Sequence, residues 1–293
     1  MGVAEDFAVF RQNYIISKDT ISSIARRYKA ITRRLNLDFW NTDSETSHSL
    51  YVGSYGRDTA SCGISDLDVG FVLPNALYQR YDSYLGNGQS QLRQAVRTSI
   101  RKTYSTSDAF GDGQVVVIAF DDGITFEVLP AFINNAGSWT HPNSNAGGSW
   151  AVTNPRAEID AIHAENQAAN GNLKCLARMM RRWKYQNGVP ISGWLIDTLA
   201  YQFIKSWGYK DKSFLYHDYM ARDFFAFLAA QSTTQSYWRA PGSGSNVPTK
   251  GNFQRAASTA HNLAVQAIKQ RADGYEWASR QSWRTIFGTT FPS

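Results

Sequence analysis

Asp66 and Asp68, in the run SDLDVGFVLP, stand two residues apart in a segment that runs directly into apolar residues. In a β-strand that spacing points both side chains to one face. Two carboxylates roughly 6–7 Å apart repel each other unless a cation lies between or in front of them. Magnesium suits such a place, because it takes hard oxygen ligands and commonly combines one or two carboxylates with substrate phosphates. A third acid would complete a two-metal site, in which one ion activates an attacking hydroxyl and the other steadies a leaving group. Glu127, in ITFEVLPAF, is the candidate. Ile124, Phe126 and Val128 share one strand face, so Glu127 lies on the other, free to reach the aspartates from a neighbouring strand.

Upstream, the stretch YVGSYGRD supplies Gly53 and Ser54. A glycine that lets backbone approach closely, followed by a hydroxyl near a helix start, suits terminal phosphates. Arg57 on the same turn is a further phosphate candidate, although an arginine in a turn is ordinarily exposed.

The elements that must position these groups follow from periodicity. Residues 19–35, DTISSIARRYKAITRRL, open with an aspartate suited to capping and carry Ile21, Ile24, Tyr28, Ile31 and Leu35 at steps of three and four, the pattern of one buried helical face. Arg26, Arg27, Lys29, Arg33 and Arg34 fill the rest, either as a solvated face or as a basic stripe for nucleic acid. Residues 92–104 read as a helix. Residues 114–120 and 124–132 read as strands joined by the turn Asp121-Asp122-Gly123. The stretch 134–155 concentrates Gly, Asn, Ser and Pro and reads as loop. From 156 onward the pattern is helical, broken at 239–252 by what reads as a surface loop between helices. The expected class is α+β: a half at 1–155 with a small sheet and the long N-terminal helix, then a helical half at 156–293.

With 293 residues, 43% of them apolar and 18% charged, the composition is globular and ample for a buried core. A net charge of +6 fits a phosphate-rich partner and fits plain solubility equally well. Two cysteines, Cys62 and Cys175, and five histidines show neither zinc spacing nor a disulfide framework. No apolar run approaches the roughly 18 residues of a membrane span, and the N-terminus lacks the features of a secretory signal. A soluble, intracellular protein is expected. Trp183, Trp194 and Trp207 read as packing residues.

The ordered set of Gly-Ser, Asp-x-Asp and a later strand carboxylate resembles the nucleotidyltransferase superfamily that includes DNA polymerase β. More narrowly, GSYGRDTA, SDLDVGFVLP, FEVLPAF, TNP and the helices that follow resemble the bacterial cyclic GMP-AMP synthase/DncV-like nucleotidyltransferases (CD-NTases) and their oligoadenylate synthetase relatives, from the first helix to about residue 205. The resemblance implies a polymerase β-like core with a small mixed sheet, and a C-terminal helical domain that completes the nucleotide cleft. It implies synthesis of a cyclic di- or trinucleotide from nucleoside triphosphates, ATP and GTP foremost, with release of pyrophosphate. The product would bind a downstream effector in antiphage signalling in the bacterial cytoplasm. Asp66, Asp68 and Glu127 would hold Mg²⁺, with Mn²⁺ an alternative, and Gly53, Ser54 and Arg57 would meet phosphate. Lys174, in NLKCLARMMRRWK, and Ser192, in PISGWLID, match positions that hold the donor triphosphate. Many members carry Asp where this chain has Glu127. No membrane partner is implied, and without a zinc-ribbon insertion, activation by nucleic acid is not expected.

Two other readings stand beside this one. The chain could transfer a nucleotide to RNA, a small molecule or a protein, or it could be a non-catalytic nucleotide or RNA sensor that keeps the fold.

Overall fold

The structure, a computed structural model, describes residues 2–105 and 108–293. A first helix α1 (Val3–Asn13) precedes the long α2 (Lys18–Phe39), strand β1 (Ser49–Tyr51) and a single helical turn α3 (Gly53–Gly56). Then come β2 (Asp66–Val72), α4 (Asn75–Asp82) and α5 (Gly88–Arg101). Five strands complete the sheet region: β3 (Asp108–Asp112), β4 (Val115–Ala119), β5 (Thr125–Ile133), β6 (Trp139–Asn143) and β7 (Ser149–Thr153). Helices α6 (Pro155–Ala168), α7 (Asn172–Asn187), α8 (Gly193–Ser206) and α9 (His217–Ala229) follow. The chain ends with β8 (Tyr237–Arg239), β9 (Asn246–Pro248), α10 (Gln254–Ala272) and α11 (Glu276–Phe287).

Two compact units form, each discontinuous in sequence. One comprises Ile16–Arg57 and Gly63–Ile159; the other comprises Met1–Ile15, Asp58–Cys62 and Asp160–Ser293. A division at residue 155 would treat the halves as successive, whereas compactness groups α1 and the short segment 58–62 with the C-terminal helices.

In the sheet-bearing unit the strand order is β1-β2-β5-β4-β3, with β6 paired to β5 and to β7. Strands β2 and β5 run parallel; the other pairs are antiparallel. Alternation explains the layering. Leu67, Val69 and Phe71 of β2 and Phe126 and Val128 of β5 point into one core with Ile24, Ile31 and Leu35 of α2 and Leu92, Val96 and Ile100 of α5. Burying each such side chain contributes about 1.5–3 kcal/mol. The opposite face of β2 carries Asp66, Asp68, Gly70 and the partly buried Val72.

Several expectations are corrected here. The cap of α2 is Ser17, whose hydroxyl accepts from the Thr20 amide, and not Asp19, which lies in the first turn. Ile21 is exposed. The stretch read as loop at 134–155 contains the β6–β7 hairpin, because two short strands survive on either side of a turn at Ala146, Gly147 and Gly148, all with positive φ. Within 239–252 the chain forms β9, which pairs with β8 as a two-stranded ribbon.

The helical unit is built on aromatic packing. Phe7 and Phe10 of α1, with Tyr14 just past its end, are spaced to one face and pack among Trp283, Phe287 and Phe291. Trp183 and Trp207 are buried in the same core, and Trp194 packs partly buried against it.

Candidate functional site

The acid face of β2 is completed by register. Asp68 lies opposite Glu127 across the parallel β2–β5 pair, and Asp66 lies opposite Thr125. Facing residues of paired strands project to the same side of a sheet, so Asp66, Asp68 and Glu127 share one face. Asp66 is exposed, Asp68 and Glu127 are half-buried. Burial pushes the Asp68 carboxyl up, the charge of Arg57 draws it down, and the neighbouring charge of Asp66 pushes it up again. Among the described residues no three His, Cys, Asp or Glu side chains converge as a formed ion-binding cluster. The donor set nonetheless fits a hard divalent cation: three carboxylates drawn from adjacent strands on one face of the sheet.

The Gly-Ser turn sits directly against this face. The Val52 amide donates to the Asp68 carbonyl at 2.9 Å, and α3 begins at the next residue. Gly53 has φ +59, and a Cβ there would lie 1.7 Å from Asp68 Oδ2. Glycine is therefore required twice over, for the left-handed backbone and for the close approach to a carboxylate. Ser54 lies on α3 and is half-buried.

The structure corrects the expected exposure of Arg57. It is not an exposed turn residue but only 5% exposed, and its Nη1 lies 3.8 Å from Glu158 Oε2, itself buried. Its charge acts on Asp68. Glu158 is the residue that sequence reasoning missed. Its place at the start of α6, far along the chain from the turn, leaves no local pattern to find it by.

Lys174 and Ser192 lie in the helical unit. The Lys174 side chain is 13% exposed, not that of an ordinary solvated helix lysine, and its Nζ donates to Asp58 Oδ2 at 3.1 Å. Ser192 caps α8, its hydroxyl accepting from the Leu195 amide at 3.0 Å. Arg181 braces the same turn: it donates to the Gly193 carbonyl at 3.2 Å and is forked onto the fully buried Asp197 at 2.6 and 2.9 Å. The structure thus gathers Gly53, Ser54, Arg57, Asp66, Asp68 and Glu127 within one unit and Lys174 and Ser192 within the other.

The basic residues of α2 are largely neutralised in place. Arg27 pairs with Asp122 at 2.9 Å, Lys29 with Glu45 at 3.6 Å and Arg33 with Asp43 at 2.5 Å, while Arg34 pairs with Asp38. Among the described residues no helix is long and apolar enough to cross a membrane.

A mixed sheet bearing two aspartates and a glutamate on one face, together with a helical unit, defines the CD-NTase fold class. E. coli MS115-1 CdnC, solved with ATP, superposes with a TM-score of 0.69 over 99% of this chain and 98% of that one at 16% identity. Bradyrhizobium diazoefficiens CD-NTase CdnG, solved in complex with GTP, gives 0.68 over 97% and 94% at 13% identity. Within that class, residues 1–166 match the Second Messenger Oligonucleotide or Dinucleotide Synthetase (SMODS) domain, and the chain belongs to this family. A probable cyclic nucleotide synthase of Bacillus cereus (strain VD146) is 25% identical over 180 residues, 57% of this chain and 52% of the relative. The chain spans about half the length of that curated relative.

Proposed function

We propose that this protein is a metal-dependent nucleotidyltransferase that joins nucleoside triphosphates into a cyclic di- or trinucleotide second messenger. The observation that carries the reading is the register of Asp68 with Glu127 beside Asp66, in a chain of the SMODS family. ATP and GTP are the proposed substrates, in keeping with the nucleotides held by CdnC and CdnG.

Asp66, Asp68 and Glu127 would hold Mg²⁺ or Mn²⁺. When bound, the ions supply positive charge to the reacting phosphate and lower the cost of ionising a hydroxyl. The chain's own residues do the rest. Gly53 brings backbone up to the acid face, and Ser54 offers a hydroxyl to the triphosphate. Arg57, buried beside Glu158, acts through Asp68 rather than through phosphate. Lys174 and Ser192 are assigned to the triphosphate from the helical unit. An acceptor 2′- or 3′-hydroxyl attacks the α-phosphorus in line, the bond to pyrophosphate breaks, and the hydroxyl proton leaves towards Glu127. A second round on the linear product closes the ring. In this reading the product meets an effector in antiphage signalling in the bacterial cytoplasm.

The test is incubation with all four ribonucleoside triphosphates and Mg²⁺ or Mn²⁺, phosphatase treatment and mass spectrometry. A phosphatase-resistant cyclic species is expected from the wild type and none from the Asp66→Asn, Asp68→Asn double variant. Turnover that survives the double change overturns the assignment of the acid face.

A further inference from the structure

Segment 58–62 forms a short strap in the helical unit, and it is held several times over by groups other than its one carboxylate. Arg178 Nη2 donates to the Asp58 carbonyl at 2.7 Å, and its Nε donates to the Ala60 carbonyl at 3.1 Å. The Thr59 hydroxyl donates to the buried Asp197 at 2.8 Å. The Cys62 amide donates to the Tyr14 carbonyl at 2.7 Å, and Arg182 reaches the Cys62 carbonyl at 3.4 Å. These five bonds, four of them to backbone atoms, hold the strap without calling on the Asp58 side chain.

The carboxylate does something else. Asp58 has φ +56, a left-handed conformation that Asp tolerates better than most residues. This turns its side chain onto two cations of α7 one helical turn apart, Lys174 at 3.1 Å and Arg178. The exposures are unequal. The carboxylate is 61% exposed, while Lys174 and Arg178 are 13% and 19% exposed. Two nearly covered cations thus present their charge outward through one solvent-facing anion. Such an anion is the easiest member of the cluster to replace, because water can take it up at little cost.

We propose that Asp58 is a phosphate placeholder: a positioning residue that keeps Lys174 and Arg178 ordered until the polyphosphate of a nucleotide takes over its contacts. This rests on the reading that Lys174 meets triphosphate. Asp58 therefore competes with the ligand it prepares for, and its charge sets how much negative charge a ligand needs to displace it.

The experiment measures the affinity of ATP, GTP and inorganic tripolyphosphate by calorimetry at low and high salt. It uses the full chain as wild type, Asp58→Asn, Asp58→Gly, Lys174→Met, and Asp58→Asn combined with Lys174→Met. Asn and Gly both accept a left-handed backbone, so both variants keep the strap. Either is expected to tighten tripolyphosphate and nucleotide about three- to fivefold at low salt, with the gain fading at high salt. The gain should appear in KM and not in kcat, and it should shrink in the Lys174→Met background, where only Arg178 is left to be released. Unchanged or weaker binding in both Asp58 variants, with Lys174→Met still weakening it, overturns the placeholder and leaves the triphosphate role of Lys174 standing. If Lys174→Met changes nothing, the placeholder falls with that role, while the acid face is judged separately by the Asp66 and Asp68 variants.

Discussion

Gly53 and Asp68 approach so closely that a methyl group on Gly53 would fall 1.7 Å from Asp68 Oδ2 and 2.5 Å from Cγ. The Gly53-Ser54 turn, proposed to meet phosphate, and a proposed metal ligand are therefore one packed object, and the position of the carboxylate depends on the absence of a side chain elsewhere. Gly53→Ala is expected to meet two penalties, a left-handed backbone strain of about 1–2 kcal/mol and displacement of Asp68. Displacement by about 1 Å costs on the order of 100-fold in rate. Cyclic product should fall by at least that factor, while the melting temperature drops by only a few degrees, and steady-state synthesis alongside thermal unfolding checks both.

Glu127 offers a separate prediction. Its backbone register with Asp68 fixes where the carboxylate starts, and the extra methylene relative to Asp changes only its reach. Glu127→Asp is expected to keep synthesis within about tenfold of wild type, whereas Glu127→Gln removes the charge and the proton acceptor and costs about 100-fold or more. Rates with Mg²⁺ and Mn²⁺ for both variants decide the matter. Equal activity in Glu127→Gln and wild type would remove Glu127 from the site.

What could be read in advance divides along a physical line. Strand alternation carries its own face assignment, so Leu67, Val69 and Phe71 against Asp66 and Asp68, and Phe126 and Val128 against Glu127, were legible from residue types alone. Helices α2 and α5 were likewise legible, within a few residues at their ends, from apolar steps of three and four. The β6–β7 hairpin was not, because its strands are short and lie among turn-forming residues, and only pairing such as Trp139 with Thr153 reveals them. Phe7 and Phe10 of α1, with Tyr14 just past its end, carry a clear aromatic face. The ion pair of Arg57 with Glu158 and the pairing of Lys174 with Asp58 join distant parts of the chain, and no local pattern encodes such contacts.

Gly70 continues the acid face and is covered by the hairpin that sequence reading missed. A methyl group there would lie 2.2 Å from a ring carbon of Trp139, which is 6% exposed. Gly70→Ala should cost about 1–3 kcal/mol by overpacking. Trp139→Leu in the same background should recover part of that loss by opening space, although Trp139→Leu alone destabilises. Denaturant unfolding of the three variants checks the sign of the coupling. Additive losses would show that Gly70 and Trp139 do not constrain each other.

His217 provides a pH-dependent readout of the helical unit. Burial, with a smaller contribution from the charge of Arg11, lowers its pKa from 6.5 to about 4. Asn172 accounts for the neutral tautomer. Its amide donates to the carbonyls of Lys210 and Lys212, both at 2.8 Å, which leaves Oδ1 to accept from His217 Nε2 at 3.0 Å. The unfolded chain takes up the proton near pH 6.5 and the folded chain only near pH 4, so between these values the unfolded state binds more protons. The stability this group contributes is thus present above pH 6.5 and is lost as pH falls towards 4, by about 3 kcal/mol in full. His217→Gln can still donate to Asn172 Oδ1 but does not titrate. Urea unfolding at pH 7 and pH 4.5 should show wild type losing more stability than His217→Gln by about 2–3 kcal/mol. Parallel losses in the two proteins would mean that His217 is not held neutral in the folded state.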